Sequence, residues 1–158
     1  MVCAMKSEVT PASVRMSAMN FLAMREHSAY ELKTKLAKKF DQHDWIDAEI
    51  DKLKRECLQS DERFAEAYTN MRLRQGKGAL VIRMELRDKG ISEELISQYL
   101  SNHQNWDQFA LQAYVKKFGR TPALDVKERA RRMRFLSARG FSSSNIQYAI
   151  KHATTSEE

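Results

Sequence analysis

Proline occurs only twice in the 158 residues and glycine only five times, so little in the chain interrupts helices. β-Branched residues are sparse, which works against an extensive sheet. Two cysteines, Cys3 and Cys57, are too few for a disulfide framework, and a reducing cytosol is the expected setting. Long apolar runs are missing. The opening "MVCAMKSEV" is broken by Lys6 and Glu8, too short for a signal peptide, and nothing after it has the length and apolarity of a membrane span. These absences predict a soluble, cytoplasmic protein with no membrane partner.

Catalytic signatures are missing as well. His27, His43, His103 and His152 are scattered, and even the best local group, His43 with Asp44 and Asp47, lacks a metal-ligand spacing. "GKG" at 76–78 is followed by Ala79, so it is not a phosphate-binding loop but a loop before a helix. No nucleophile motif stands out. Cys57 reads as a small packing residue rather than a reactive thiol. The expectation is a non-enzymatic protein without a cofactor or a metal.

What is present is helical spacing. Thr10-Pro11 reads as a cap followed by proline at the first helical position, with Val9 and Val14 as a staple across it. Ser28 and Glu31 form a capping-box pattern before Leu32 and Leu36. Asp44 is expected to cap a third helix through Ile46, Ile50 and Leu53, and Ser60 or Asp61 a fourth through Phe64 and Ala65. Then "ELRDKGISEELI" (85–96) is echoed by "FLSARGFSSSNI" (135–146). In both, glycine suits the left-handed turn beyond a helix end, and serine suits the cap of the next helix. Asp125 with Glu128 caps the helix that leads into the second copy.

Nine predicted helices group in threes with a period near fifty residues, the mark of a helical array. The expected fold is all-α: three tandem three-helix repeats forming an elongated, curved stack. The repeats fall at 11–58, 59–101 and 102–153, between flexible ends at 1–10 and 154–158.

Lys and Arg outnumber Asp and Glu by 27 to 21, and the excess is segregated. Residues 72–89 hold six basic residues against Glu85 and Asp88, a net of +4; residues 116–139 hold nine against Asp125 and Glu128, a net of +7. With a total of +6, the remainder of the chain is net negative. Basic residues late in a helix complement its dipole, which suffices for Lys89 and Arg139. "KERARRMR" is too extended for that and points to carboxylate or phosphate recognition. Tyr68, Tyr114, Phe118 and Tyr148 could stack on bases, but their helical spacing favours core or edge positions.

Four stretches together resemble the RecX family of bacterial recombinase regulators. They are "REHSAYELKTKL" (25–36), "DERFAEAY" (61–68), "GKGALVIRMELRDKGI" (76–91) and "RRMRFLSARGF" (131–141), and the likeness extends from about Ala18 to Lys151. One departure is Gln59-Ser60, where the family usually has two acidic residues. The resemblance implies an all-helical, non-enzymatic protein of three three-helix repeats. It implies a negative regulator that binds in the groove of the RecA–DNA filament and restrains filament extension, ATP hydrolysis and strand exchange in DNA repair and the SOS response. The implied partner is the RecA filament, with single- or double-stranded DNA as a further possible partner, and the protein is expected to be a monomer. The family supplies no catalytic residues. Candidate contacts therefore come from the basic windows: Arg72, Arg74, Lys77, Arg83 and Arg87, then Arg129, Arg131, Arg132 and Arg134. A competing reading is a basic helical protein that acts by competing for single-stranded DNA.

Overall fold

Apolar residues at spacings of three and four, with few breakers between them, dictate helix after helix. In the computed structural model, which describes residues 8–155, nine helices and no strand are found among the described residues. They are α1 (Pro11–Met24), α2 (Ala29–Ala37), α3 (His43–Arg55), α4 (Asp61–Arg74), α5 (Ala79–Asp88), α6 (Glu93–Ser101), α7 (Trp106–Phe118), α8 (Val126–Ala138) and α9 (Ser143–His152). The ends expected to be flexible, 1–10 and 154–158, fall mostly outside the described residues. Among the described residues no helix is long and apolar enough to cross a membrane.

Most starts are set by side-chain caps. Thr10 and Ser13 form a capping box around Pro11, and Ser28 and Glu31 form another. The Ser60 hydroxyl accepts from the Arg63 N–H, so it begins α4 despite the missing acidic pair. Ser92, Asp125 and Ser142 cap α6, α8 and α9. Asp44 does not cap α3. The helix begins at His43, Gln42 precedes it without a side-chain bond, and Asp44 sits in the first turn, where its charge suits the dipole. Val9 stays 45% exposed while Val14 is fully buried, so the expected staple leaves half of its pair in water.

The chain divides into two compact units, one up to Phe64 and one from Ala65. In the first, Val14, Ala18, Leu32, Leu36, Ile46, Ile50 and Leu53 make the core. In the second, Ile82, Leu86, Ile91, Ile96 and Leu100 are buried, and Ala110, Tyr114, Leu136, Phe141, Ile146 and Ala149 form a further cluster. The repeat is in phase: Leu36, Leu86 and Leu136 are each fully buried at intervals of fifty positions, and Ile46, Ile96 and Ile146 follow the same step.

The echoed phrase has the expected geometry. Gly90 and Gly140 have φ of +77° and +97°. Beyond them the Ile91 N–H reaches the Leu86 carbonyl at 3.0 Å and the Phe141 N–H reaches the Leu136 carbonyl at 3.2 Å. These are the long bonds that close a helix C-terminus. Cys57 takes the same left-handed conformation after α3, at φ +59°, with the Leu58 N–H on the Leu53 carbonyl at 2.9 Å. Its thiol is exposed, so the expected packing role is corrected to a turn role.

Gly78 has a different duty. Its N–H donates to the Arg139 carbonyl at 2.7 Å, and the Leu80 N–H donates to the Gly140 carbonyl at 3.0 Å. The first amides of α5 and the last carbonyls of α8 therefore satisfy one another, two sets of groups that a helix leaves unpaired. A Cβ on Gly78 would stand 2.4 Å from the Gly140 carbonyl, so only glycine permits the approach.

Candidate partner-binding surface

Long basic side chains on amphipathic helices divide between solvent and the chain's own acids, and here the division is visible residue by residue. Arg72, in the last turn of α4, grips Glu85 with two nitrogens at 2.8 and 2.6 Å. The Tyr68 hydroxyl donates to the same carboxylate at 2.8 Å. Burial alone would raise the Glu85 carboxyl, but the bonds from Arg72 and Tyr68 outweigh it and hold it below its ordinary range. On α5, Arg83 and Arg87 share Glu93, the first at 3.1 Å. That carboxyl is lowered too, chiefly by Arg87.

On α8, Glu128 receives Arg131 at 2.9 and 2.8 Å and Arg132 at 3.0 Å. The Arg131 bonds first, and then the Arg132 bond, lower its carboxyl to about 2. Arg132 is not a surface residue. It is 8% exposed, and its Nη1 donates to the Tyr114 hydroxyl at 2.8 Å and the Thr121 carbonyl at 2.7 Å. Its guanidinium lies 5.1 Å from the Phe118 ring centroid. As a candidate contact Arg132 is corrected: it is buried, and its Nε and Nη1 are bonded to the chain's own groups. The fifty-residue register contains the signal that finds this, because position 132 follows Leu32 and Ile82, both fully buried. Tyr114, expected at a core or edge position, is a core residue that holds the guanidinium.

Four candidates remain without an ion pair or side-chain hydrogen bond among the described residues: Arg74, Lys77, Arg129 and Arg134. Arg74, Arg129 and Arg134 are exposed, and Lys77 is half-buried. The Lys77 ammonium lies below its usual range, first through burial and then through Arg139 and Arg72 nearby. Arg139, read from sequence as a helix-end charge, reaches much further. Its Nη1 donates to the Gln75 carbonyl at 2.9 Å. The end of α8 and the end of α4 are thereby joined, so the two basic windows meet. Lys89 likewise lies over the Tyr68 ring, 5.3 Å from its centroid.

No three His, Cys, Asp or Glu side chains converge as a metal site among the described residues. What the surface presents is exposed guanidinium groups, flanked by arginines already paired with internal acids.

Comparison with known proteins agrees with the repeat. Family models for the first, second and third three-helix domains of RecX match residues 15–53, 60–100 and 110–150. A protein of Chromohalobacter salexigens named "Regulatory protein RecX" is 40% identical over 147 residues, covering 92% of this chain and 94% of that one. Proteins of the same name from Legionella pneumophila and Neisseria meningitidis are 38% and 36% identical, each over 89% of this chain and more than nine-tenths of their own length. The crystal structure of RecX from Lactobacillus salivarius superposes with a TM-score of 0.77 at 21% identity, covering 90% of this chain and 96% of that one. A second structure, titled as regulatory protein RecX, gives 0.78 at 21% identity, covering 89% and 73%.

Proposed function

The chain belongs to the RecX family, and from that premise we propose that it is a negative regulator of the RecA recombinase. In this reading it docks in the groove of the RecA–DNA filament and restrains filament extension, ATP hydrolysis and strand exchange. The observation that carries the reading is the match of all three three-helix domains, in order, to relatives named as regulators. The absence of a nucleophile motif from the sequence accords with a protein that acts by contact.

The surface supports a docking role. Arg74, Lys77, Arg129 and Arg134 have charge to offer a partner's carboxylates or a phosphate backbone. Arg72, Arg83, Arg87 and Arg131 contribute through partly exposed ion pairs that a stronger acid could share. Arg132 serves by holding α8 to Tyr114 and the Thr121 carbonyl. Several modest contacts on one body add through effective concentration, which suits a regulator that meets repeated protomers.

The test is RecA-dependent ATP hydrolysis on single-stranded DNA, with this protein titrated from well below the RecA concentration. Substoichiometric suppression is the expected result. Suppression that appears only at DNA-saturating protein, and that excess DNA abolishes, would instead make the chain a competitor for single-stranded DNA.

A further inference from the structure

Where α4, α7 and α8 approach one another in the second unit there is a cavity of about 290 Å³, lined in part by Leu73, Phe109, Arg74, Lys116, Lys117 and Arg139. Four cations and no carboxylate face it. None of the four takes part in an ion pair among the described residues, in contrast to the arginines paired with Glu85, Glu93 and Glu128.

Two of these cations are held in place without an acid. The Arg139 guanidinium lies 5.0 Å from the Phe135 ring centroid and gives one nitrogen to the Gln75 carbonyl, which leaves its other donors available. The Lys117 ammonium lies 5.7 Å from the same ring. Cations fixed by a ring and a carbonyl are preorganised for an anion, and little ordering remains to oppose binding.

We propose that this cavity seats an acidic segment of a partner protein, with one apolar side chain against Leu73 and Phe109 and flanking carboxylates on Arg74, Lys116, Lys117 and Arg139. The proposal deepens the docking reading above and rests on it. A protein segment fits better than a nucleic-acid strand for two reasons. The cations ring a single depression, whereas a strand spreads its phosphates along a line. Phe135, one of the two rings that line the cavity and could stack on a base, already carries Lys117 and Arg139. The volume sits at the small end of ligand cavities, the scale of a single large side chain.

The experiment uses the full chain and a short fluorescent peptide of Asp and Glu around a central Phe, read by anisotropy. The wild type is expected to bind it. K116E/K117E should lose about tenfold in affinity, while K54E/K151E, with the same change in net charge, should stay within about twofold. Replacing the peptide's Phe by Ser should also weaken binding. Matching thermal midpoints would show that the variants fold, and K116A alone provides a milder version. Equal binding by K116E/K117E, equal binding of the Ser peptide, or no binding by wild type would each overturn the proposal. So would displacement of the peptide by oligothymidylate at matching potency. RecA-dependent ATP hydrolysis, run alongside, separates the two readings. Failed peptide binding with intact suppression removes only the cavity proposal, and peptide binding without suppression removes only the regulatory one.

Discussion

At the scale of single residues, what decides a role is whether a side chain's polar atoms are already used. Arg132 is the clearest case. Its donors serve Glu128, the Tyr114 hydroxyl and the Thr121 carbonyl, so truncation leaves the buried Tyr114 hydroxyl and two partly buried acceptors without this partner. R132A is expected to lower stability by about 2 kcal/mol in urea unfolding. R129E/R134E should change stability by less than about 0.5 kcal/mol yet weaken RecA suppression. The reverse pattern would place Arg132, and not its exposed neighbours, on the partner-facing surface. His27 gives a second residue-scale expectation. It is 1% exposed, its Nδ1–H donates to the Arg25 carbonyl at 3.0 Å, and its Nε2 accepts from the Lys35 ammonium at 2.8 Å. Burial first, and then the charges of Arg25 and Lys35, push the imidazole below its ordinary 6.5, against the bond to the Arg25 carbonyl, which favours the charged form. The unfolded chain therefore takes up protons as the pH falls below that value, while the folded chain resists them. Stability from this site is complete above the ordinary value and is lost as the pH drops toward the folded one. Urea midpoints at about pH 7.5 and 5.5 should differ more for wild type than for H27Q, and equal differences would exclude His27 as the source.

At the scale of elements, helix ends carry more information than helix middles. Starts at Thr10, Ser28, Ser92, Asp125 and Ser142 were readable because a cap needs a particular short polar side chain at a particular offset. The start of α3 was misread because an acid in the first turn and an acid at the cap look alike in sequence. The glycines separate by mechanism. Gly90 and Gly140 both take a positive φ, and Gly140 also has Val81 2.6 Å from where a Cβ would stand. Gly78 has ordinary φ but meets the Gly140 backbone. G90V should cost about 1–2 kcal/mol through backbone strain. G140V and G78A should cost about 3 kcal/mol or more, because a rigid backbone must also move. Denaturant midpoints check the order. A G78A protein as stable as wild type would mean that the α5–α8 seam is not as close as described.

At the scale of the whole molecule, the distribution of charge matters more than its total of +6. Five of the nine candidate cations share three carboxylates, Glu85, Glu93 and Glu128, and the other four have no internal acid. For single-stranded DNA, affinity falls with salt by about 0.7 per phosphate contact on a log–log scale. Binding confined to the four unpaired candidates Arg74, Lys77, Arg129 and Arg134 should therefore show a slope of about −3. A slope near −6 would mean that further cations, those of the cavity or the paired arginines, also reach phosphates. Filter binding across a salt series measures this directly.

Sequence alone determined the all-helical class, the succession of three-helix domains and the glycine–serine punctuation. Each depends on contacts within a few residues, and a period of 3.6 or a cap three positions away is written in local order. Tertiary structure decided which basic residues remain available. Pairing Arg72 with Glu85, sending Arg139 to the Gln75 carbonyl and seating Gly78 against Gly140 join residues 13 to 64 positions apart. A charge count cannot foresee those meetings, because free charge is what remains after the helices have packed and the nearest acids have been satisfied.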